Sequence, residues 1–353
     1  MTNTRHLKIV IASAGRRAHY IQWFKDALQK QQIPGEVIAL DYRATSPTVG
    51  LADRAYQTPA YNSPEYLTMI RDWFTQERPD LFLVMNDYEA HALSQGVADE
   101  LRAMGCAVGV LDKASHEIVL DKYYTAQKLA EHDIPTPTTH LGSDVSSVLE
   151  SASEDKKFVV KHRYGAGSTG VQIVTPDELS AAVDESARSA LGPDGKPAHH
   201  VDSVIVQDHL PGPEYGVDGV FSVDGRSTFL GLVARRKEQM RGGDTDLASS
   251  VSPEPFRDSI AKIGRLLSPT ASIDVDFRET ETGQPQVIDI NPRMGGGYPF
   301  CHRAGADMPS VLVRAAAGLE HAPELLDYEF GATIARHEEF SVITREVSAQ
   351  AVS

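Results

Sequence analysis

Val287-Ile288-Asp289-Ile290-Asn291-Pro292-Arg293-Met294-Gly295-Gly296-Gly297 is an apolar strand carrying a polar side chain at every second position from Asp289 to Arg293. Strand alternation places Asp289 and Asn291 on one face. Upstream, Ile273-Asp274-Val275-Asp276-Phe277 has the same texture, and a turn around Gly283 pairs Ser272 to Glu279 with Gln286 to Asn291. As antiparallel neighbours, the two strands let Asp276 lie opposite Asp289 and Asn291. Two carboxylates and an amide oxygen are hard ligands suited to Mg²⁺. Arg293 keeps the same face and can clamp a phosphate or carboxylate through two parallel hydrogen bonds. A solvated strand face ending in turn residues is the plainer reading. Acids set among valine and isoleucine on two neighbouring strands favour the metal reading. Asp274 either assists or faces the other side. Gly295 to Gly297 permits close approach of a ligand or a sharp turn, and both readings stand.

Working outward, further β-like segments precede this hairpin: Phe158 to Lys161, Gly170 to Val174, Ser203 to Gln207, Tyr215 to Val223 and Ser227 to Ala234. Asp224-Gly225 is a hairpin turn between the last two. Helices are predicted at Pro176 to Ala190 and Pro253 to Leu267, giving an α+β region. Gly165-Ala166-Gly167-Ser168-Thr169-Gly170 matches a dinucleotide fingerprint literally, but a strand follows it instead of the required helix. It lacks the lysine of a P-loop, having Val171, and no helix follows to make a nucleophile elbow. What remains is a glycine hairpin beside Lys161, which can fold over a phosphate chain or be an ordinary turn. Gly192 to His200 reads as a surface loop, and the pair His199-His200 as part of it.

The first third alternates strands (Lys8 to Ala12, Glu36 to Leu40, Leu81 to Met85, Ala107 to Val110) with helical patterns (His19 to Lys30, one from Pro64, one from Asp87 to about Met104). Such alternation predicts crossover units and a parallel sheet. The expected fold is α/β plus α+β, with a doubly wound domain at 1–112, a helical linker and small lobe at 113–205, and a large lobe at 206–353. Two helices, Asp112 to Leu120 and Asp121 to His132, open the middle part and end before Ile134-Pro135-Thr136-Pro137.

Composition narrows the class. With 353 residues, 41% hydrophobic and 24% charged, the chain is that of a globular protein. A net charge of −15 argues against a nucleic-acid partner. No run of 18 uncharged apolar residues predicts a membrane span, and the N-terminus has no secretory signal. Two cysteines, Cys106 and Cys301, build no disulfide framework, so a cytoplasmic setting is expected.

In order and spacing, these pieces resemble the ATP-grasp superfamily, especially the branch similar to the synthetase domains of carbamoyl-phosphate synthase. The likeness rests on Asp121-Lys122, Phe158 to Lys161 before the glycine loop, Val206-Gln207-Asp208-His209-Leu210, Gly212-Pro213-Glu214-Tyr215, Asp276, and Asp289 to Pro299. Ala12 to Arg17, Asn86-Asp87-Tyr88-Glu89 and Arg336-His337-Glu338-Glu339 extend it over about residues 7 to 345. The resemblance implies a two-lobed ATP-grasp fold after the N-terminal domain, with ATP between the lobes. It implies phosphate contacts by Lys122 and by Lys161, the latter also near the adenine, and a loop of Gly165, Gly167, Ser168, Thr169 and Gly170 closing over the phosphates. Gln207, Asp208, His209 and Leu210 would form the adenine hinge, with backbone groups of Asp208 and Leu210 reading the base, and Glu214 would hold the ribose. Asp276, Asp289 and Asn291 would bind Mg²⁺, or Mn²⁺ in its place. Arg293 would stabilise the transferring phosphoryl group, making Arg293, Lys161 and Asn291 the catalytic set. Asp208 and Asp289 stand where the family has glutamate, each one methylene shorter.

Leu232 to Lys237 running into Arg241-Gly242-Gly243-Asp244 resembles the family's Arg-rich loop facing the substrate carboxylate, with Lys237 and Arg241 as candidates. Arg293, Gly296, Gly297 and Tyr298 complete the substrate-binding set. Cys301 and His302 are placed near the same pocket, with Cys301 read as a packed thiol. The activity implied is an ATP-dependent carboxylate–amine ligase forming an amide or peptide bond between small molecules such as amino acids, through an acyl phosphate, with release of ADP and phosphate. No protein nucleophile is needed, because positioning and charge neutralisation carry phosphoryl transfer. Two alternatives stand beside it: kinase-like activation of a carboxylate or carbamate that releases a phosphorylated product, and a non-catalytic ATP-binding regulator. The partners are small-molecule carboxylate and amine substrates, and homodimerisation is a further expectation of the resemblance.

Overall fold

A computed structural model describes residues 5–15, 17–165, 170–193, 195–343 and 348–349. The N-terminal region builds a parallel sheet from β1 (Leu7–Ala12), β2 (Gly35–Asp41), β3 (Arg54–Gln57), β4 (Leu81–Val84) and β5 (Ala107–Gly109), ordered β3-β2-β1-β4-β5. Its central strands β1, β2 and β4 are mainly apolar because helices cover both faces. Leu7, Ile9 and Ile11 pack under the helix His19–Lys30, while Val10 and Ala12 face the cluster containing Trp73 and Phe74 of the helix Pro64–Glu77. Strand order reverses between β1 and β4, and the carboxyl ends of those strands leave a crevice there.

A four-stranded antiparallel sheet follows, made of β6 (Thr139–Leu141), β7 (Phe158–His162), β8 (Gln172–Val174) and β9 (Val204–Asp208) in the order β6-β9-β7-β8. The helix Pro176–Ser189 packs on it through Leu179, Ala182 and Val183. Thr175 starts that helix with a capping box closed by Glu178. The largest sheet is also antiparallel, with β10 (Glu214–Phe221), β11 (Phe229–Arg241), β12 (Asp244–Val251), β13 (Ser272–Glu279), β14 (Pro285–Asn291) and β15 (Thr333–Ala335), ordered β14-β13-β10-β11-β12-β15. The helix Arg257–Leu267 covers one face through Ile260, Ile263 and Leu267. Strand β9 crosses residue 205, and a last short strand, β16 (Ser348–Ala349), returns to pair with β3 at the edge of the first sheet. Among the described residues no helix is long and apolar enough to cross a membrane.

Several elements differ from the sequence reading. The helix expected from Asp87 to about Met104 is two, Asp87–Ser94 and Val97–Ala103. Gly96 separates them at φ +122°, a conformation no helix accommodates. The Arg-rich stretch expected to be a loop is the second half of the 13-residue strand β11, which turns at Gly242-Gly243 into β12. Register shifts between Lys237 and Met240 break the alternation that would have revealed the strand. Short elements at Pro47–Leu51, β3 and β6 carry too few residues for a periodic signal.

The regions are tied together by burial and hydrogen bonding. The helix Met308–Ala316 packs against His19–Lys30, and the fully buried Tyr20 hydroxyl donates to the Gly295 carbonyl at 2.6 Å. Removing that donor strands a buried carbonyl. We expect Tyr20→Phe to lower unfolding stability by ~1–3 kcal/mol in urea titrations. An unchanged midpoint would show that the Gly295 carbonyl finds another partner.

Candidate active site

The register of β13 on β14 places Asp276 directly opposite Asp289 and Asp274 opposite Asn291. All four side chains share a face by alternation. Across from them, β7 contributes Lys161, whose ammonium donates to the Ile288 carbonyl at 3.0 Å. Burial pushes the Lys161 pKa down to about 8, against the pull of Asp289. Lys122 is set at the start of the helix Lys122–Glu131, where Asp121 caps the Tyr123 and Tyr124 amides. Asp121 also receives the Arg163 guanidinium at 2.6 and 2.8 Å, and the Lys122 amide donates to the Arg163 carbonyl. So anchored, the Lys122 ammonium reaches Asp289 at 3.0 Å. Burial works against the Asp289 charge, but Lys122 and Lys161 outweigh it and hold the pKa below the ordinary carboxylate range.

Lys237 plays the same part for the other carboxylates. Its ammonium lies 2.8 Å from both Asp276 and Glu214. Burial pushes the Asp276 pKa up, although Lys237 opposes it. Arg278 approaches the second Glu214 oxygen at 3.6 Å. Glu214, Asp276 and Arg278 border a cavity of about 280 Å³ between the four-stranded sheet and the β13–β14 end of the large one. Lys122, Lys161, Gly165, Gln207, Asp208, Leu210, Glu214, Asp276 and Asp289 all line it.

The segment 207–210 forms one wall. Gln207 is buried, and its amide donates to the Thr139 hydroxyl at 2.8 Å. The Asp208 N–H is committed to the Thr138 carbonyl, His209 N–H to the Lys157 carbonyl, and the Asp208 carboxylate to Lys156 at 2.8 Å. Among the described residues no acceptor faces the Leu210 N–H. Of the two backbone groups expected to read a base edge, Asp208 therefore has only its carbonyl to offer beside the Leu210 amide.

Arg293 is almost fully buried at the other end of the carboxylate row. It contacts Asn291 Oδ1 at 3.3 Å, Asp274 Oδ2 at 3.3 Å and Asp87 at 3.1 and 3.2 Å. Its pKa is raised: burial opposes the charge, and Asp87 and Asp274 more than offset that. Asp87 stands at the carboxyl end of β4, so the crevice of the parallel sheet meets the site here. A second cavity of about 260 Å³ occupies that crevice, lined by Ser13, Ala14, Arg17 and Met85 to Tyr88. Tyr88 lines both cavities.

Some expected residues stand elsewhere. Arg241 is exposed beside the β11–β12 turn and pairs with Asp246 at 2.8 Å, outside both cavities. Tyr298 is fully buried near the Tyr20 and Trp23 rings, and its hydroxyl is used by the Met308 amide, the Ala306 carbonyl and His302. It faces the domain contact instead of a ligand. Cys301 is likewise buried, and burial pushes its thiol up to about 12. Gly296 lies against the Arg17 guanidinium, and Gly297 against Arg235. Gly170 lies against the His162 ring, whereas Gly167, Ser168 and Thr169 lie outside the described residues. Sequence reasoning did not single out Arg17, Asp87, Asp218 or Arg235 as site residues. Arg17, Asp87 and Arg235 fall inside segments that carry the family resemblance, and Asp218 carries the same signal as Asp274, an acid in an apolar strand.

The donor set suits a hard divalent cation bound jointly with phosphates. Asp276, Asp289 and Asn291 offer oxygens on one face, and Mg²⁺ ordinarily takes only one or two carboxylates from the protein. Among the described residues no three His, Cys, Asp or Glu side chains form a closed cage.

Residues 200–340 match the family described as ATP-grasp in the biosynthetic pathway with Ter operon, and residues 9–108 match the PylC-like N-terminal domain. The chain is 24% identical over 338 residues to phosphoribosylamine–glycine ligase of Escherichia coli O6:H1, covering 88% of this chain and 74% of that one. It is 26% identical over 249 residues to the enzyme of that name from Pasteurella multocida, covering 63% and 56%. This chain thus spans between about half and three quarters of those relatives. Among solved structures, it resembles the biotin carboxylase domain of Hydrogenobacter thermophilus 2-oxoglutarate carboxylase (TM-score 0.69, 18% identity, 92% of this chain and 73% of that one). It also resembles the L-amino acid ligase of Bacillus licheniformis (TM-score 0.65, 16% identity, 93% and 79%). The parallel-sheet domain, the cavity between two antiparallel sheets and the matched segments lead to one conclusion: the chain belongs to the ATP-grasp superfamily.

Proposed function

We propose that this protein is an ATP-dependent carboxylate–amine ligase that activates a small carboxylate, such as an amino acid, as an acyl phosphate and releases ADP and phosphate. The observation that carries the reading is the adjacency of the two cavities, which share Tyr88 in their linings. The larger, rimmed by Lys122, Lys161, Asp276 and Asp289, suits a nucleoside triphosphate. The smaller, at the reversal point of the parallel sheet, suits an anionic acid beside Arg17. Tyr88 lines both, and Arg293 pairs with Asp87 of the smaller one. The ligases of similar sequence and the L-amino acid ligase of similar fold support the same class.

In this reading the Leu210 amide and Asp208 carbonyl hold the base, Glu214 the ribose, and Lys122 and Lys161 the phosphates. Asp276, Asp289 and Asn291 would hold Mg²⁺, which when bound neutralises phosphate charge. Lys122 and Lys237, now on Asp289 and on Asp276 and Glu214, would be free to turn to phosphate and acid as the cation takes their place. A carboxylate oxygen attacks the γ-phosphorus and ADP leaves, with Arg293 stabilising the charge on the transferring group. An amine then adds to the acyl carbon and phosphate leaves with the C–O electron pair. Two buried, unpaired cysteines suit a reduced, cytoplasmic setting.

Hydroxylamine offered as the amine, with ATP, Mg²⁺ and pooled carboxylic acids, tests the activity. ADP together with an acid-dependent hydroxamate is expected. ADP without any hydroxamate points to a released phosphorylated product, and AMP contradicts the mechanism. Asp289→Ala and Arg293→Ala should abolish turnover in folded protein, and Glu214→Ala should chiefly weaken ATP binding. Full ADP formation in either of the first two, or unchanged ATP affinity in the third, removes that residue from its role. The Lys161 ammonium is charged below about pH 8 and neutral above it. ATP affinity should therefore fall as pH rises through that value. A flat profile between pH 7 and 9 would place Lys161 away from the phosphates.

A further inference from the structure

Arg235 lies in the Arg-rich stretch but lines neither cavity. It is 1% exposed, sealed between β10, β13 and the glycine turn after β14. One guanidinium nitrogen pairs with Asp218, and another donates to Asp274 Oδ1 at 2.9 Å. The other Asp274 oxygen, Oδ2, receives Arg293 Nη1 at 3.3 Å. The fold clears room for this fork. A Cβ on Gly216 would fall 2.5 Å from an Arg235 nitrogen, and one on Gly297 only 2.1 Å. A Cβ on Gly295 would lie 2.2 Å from Asp218 Oδ1, the oxygen that accepts the Gly295 amide at 3.2 Å. Two members of the glycine run thus serve a buried ion-pair chain and not a ligand.

We propose that Arg235 is a positioning residue for phosphoryl transfer: by holding one oxygen of Asp274 it leaves the other to set Arg293 against the transferring group. This rests on the ligase reading above. Both oxygens of Asp274 are acceptors, and an aspartate without Arg235 would turn both toward Arg293 and draw it away from Asn291. A planar fork is needed to grip Asp218 and Asp274 at once, and a lysine ammonium is a point charge on a flexible stem. Charge alone at position 235 therefore keeps the buried acids partly balanced without fixing Asp274.

The test compares Arg235→Lys with wild type by calorimetric titration of Mg·ADP with and without aluminium fluoride, whose planar adduct stands in for the transferring phosphoryl group. Wild type should bind the fluoride-containing complex more tightly than Mg·ADP alone. Arg235→Lys should keep its melting cooperativity and its Mg·ADP affinity but lose that tightening by about tenfold or more, the size of a lost charge-assisted hydrogen bond. Equal tightening in the two proteins would overturn the proposal. So would a parallel loss of both affinities, which is what a merely structural role predicts, and so would a wild type that gains nothing from fluoride. A wild type that binds no Mg·ADP would instead remove the nucleotide reading itself. Should Arg235→Lys not fold, Arg235→Met combined with Asp218→Asn removes one acid with the arginine, and the same comparison applies.

Discussion

Two carboxylates directly opposite each other on neighbouring strands repel, and the pairing of Asp276 with Asp289 imposes that arrangement on β13 and β14. Much of the surrounding structure answers it. Lys237 reaches in from β11 to Asp276, and Lys122 from a helix start to Asp289, while Lys161 crosses from the smaller sheet. One step further along the same face, Asp274 is shared between Arg235 and Arg293. Asp289 and Asp274 each have two cations, whereas removing Lys237 would leave Asp276 without its ion-pair partner, which is costly where the acid is largely shielded from water. The lobes and the N-terminal sheet are therefore held to one geometry by charge as well as by apolar packing.

Such an arrangement is poised for polyanionic ligands. In the proposed reading, the cations already converge where phosphate charge would arrive. The acids hold the lysines in place, and in the proposed reading a divalent cation and phosphates would take over both sides of each pair. Arg293 is tied to Asp87, which lines the second cavity, and to Asn291 of the large sheet.

Much of this was legible in the sequence because burial is written into composition. Acids alternating with valine and isoleucine marked both carboxylate-bearing strands, and the spacing of Asp289, Asn291 and Arg293 set their shared face. The parallel sheet followed from apolar runs separated by helical periodicity. What escaped was long-range or irregular. Arg235 and Arg241 look alike in the sequence, yet one is sealed in the core and the other is exposed, because a register shift divides their strand. Tyr298 sits beside the glycine run in sequence, but the next turn carries it into the contact with Tyr20 and Trp23. Nothing local distinguishes a glycine that admits a ligand from one that admits an arginine, and Gly297 is the second kind.

Ligase activity at this site requires a carboxylate oxygen to be joined to the γ-phosphorus of ATP. Supplying carboxylic acids labelled with ¹⁸O in the carboxylate, together with ATP, Mg²⁺ and an amine, tests it directly. Phosphorus NMR should show ADP and inorganic phosphate carrying one ¹⁸O from the acid. Unlabelled phosphate from a turning-over enzyme, or label in AMP, would contradict the account.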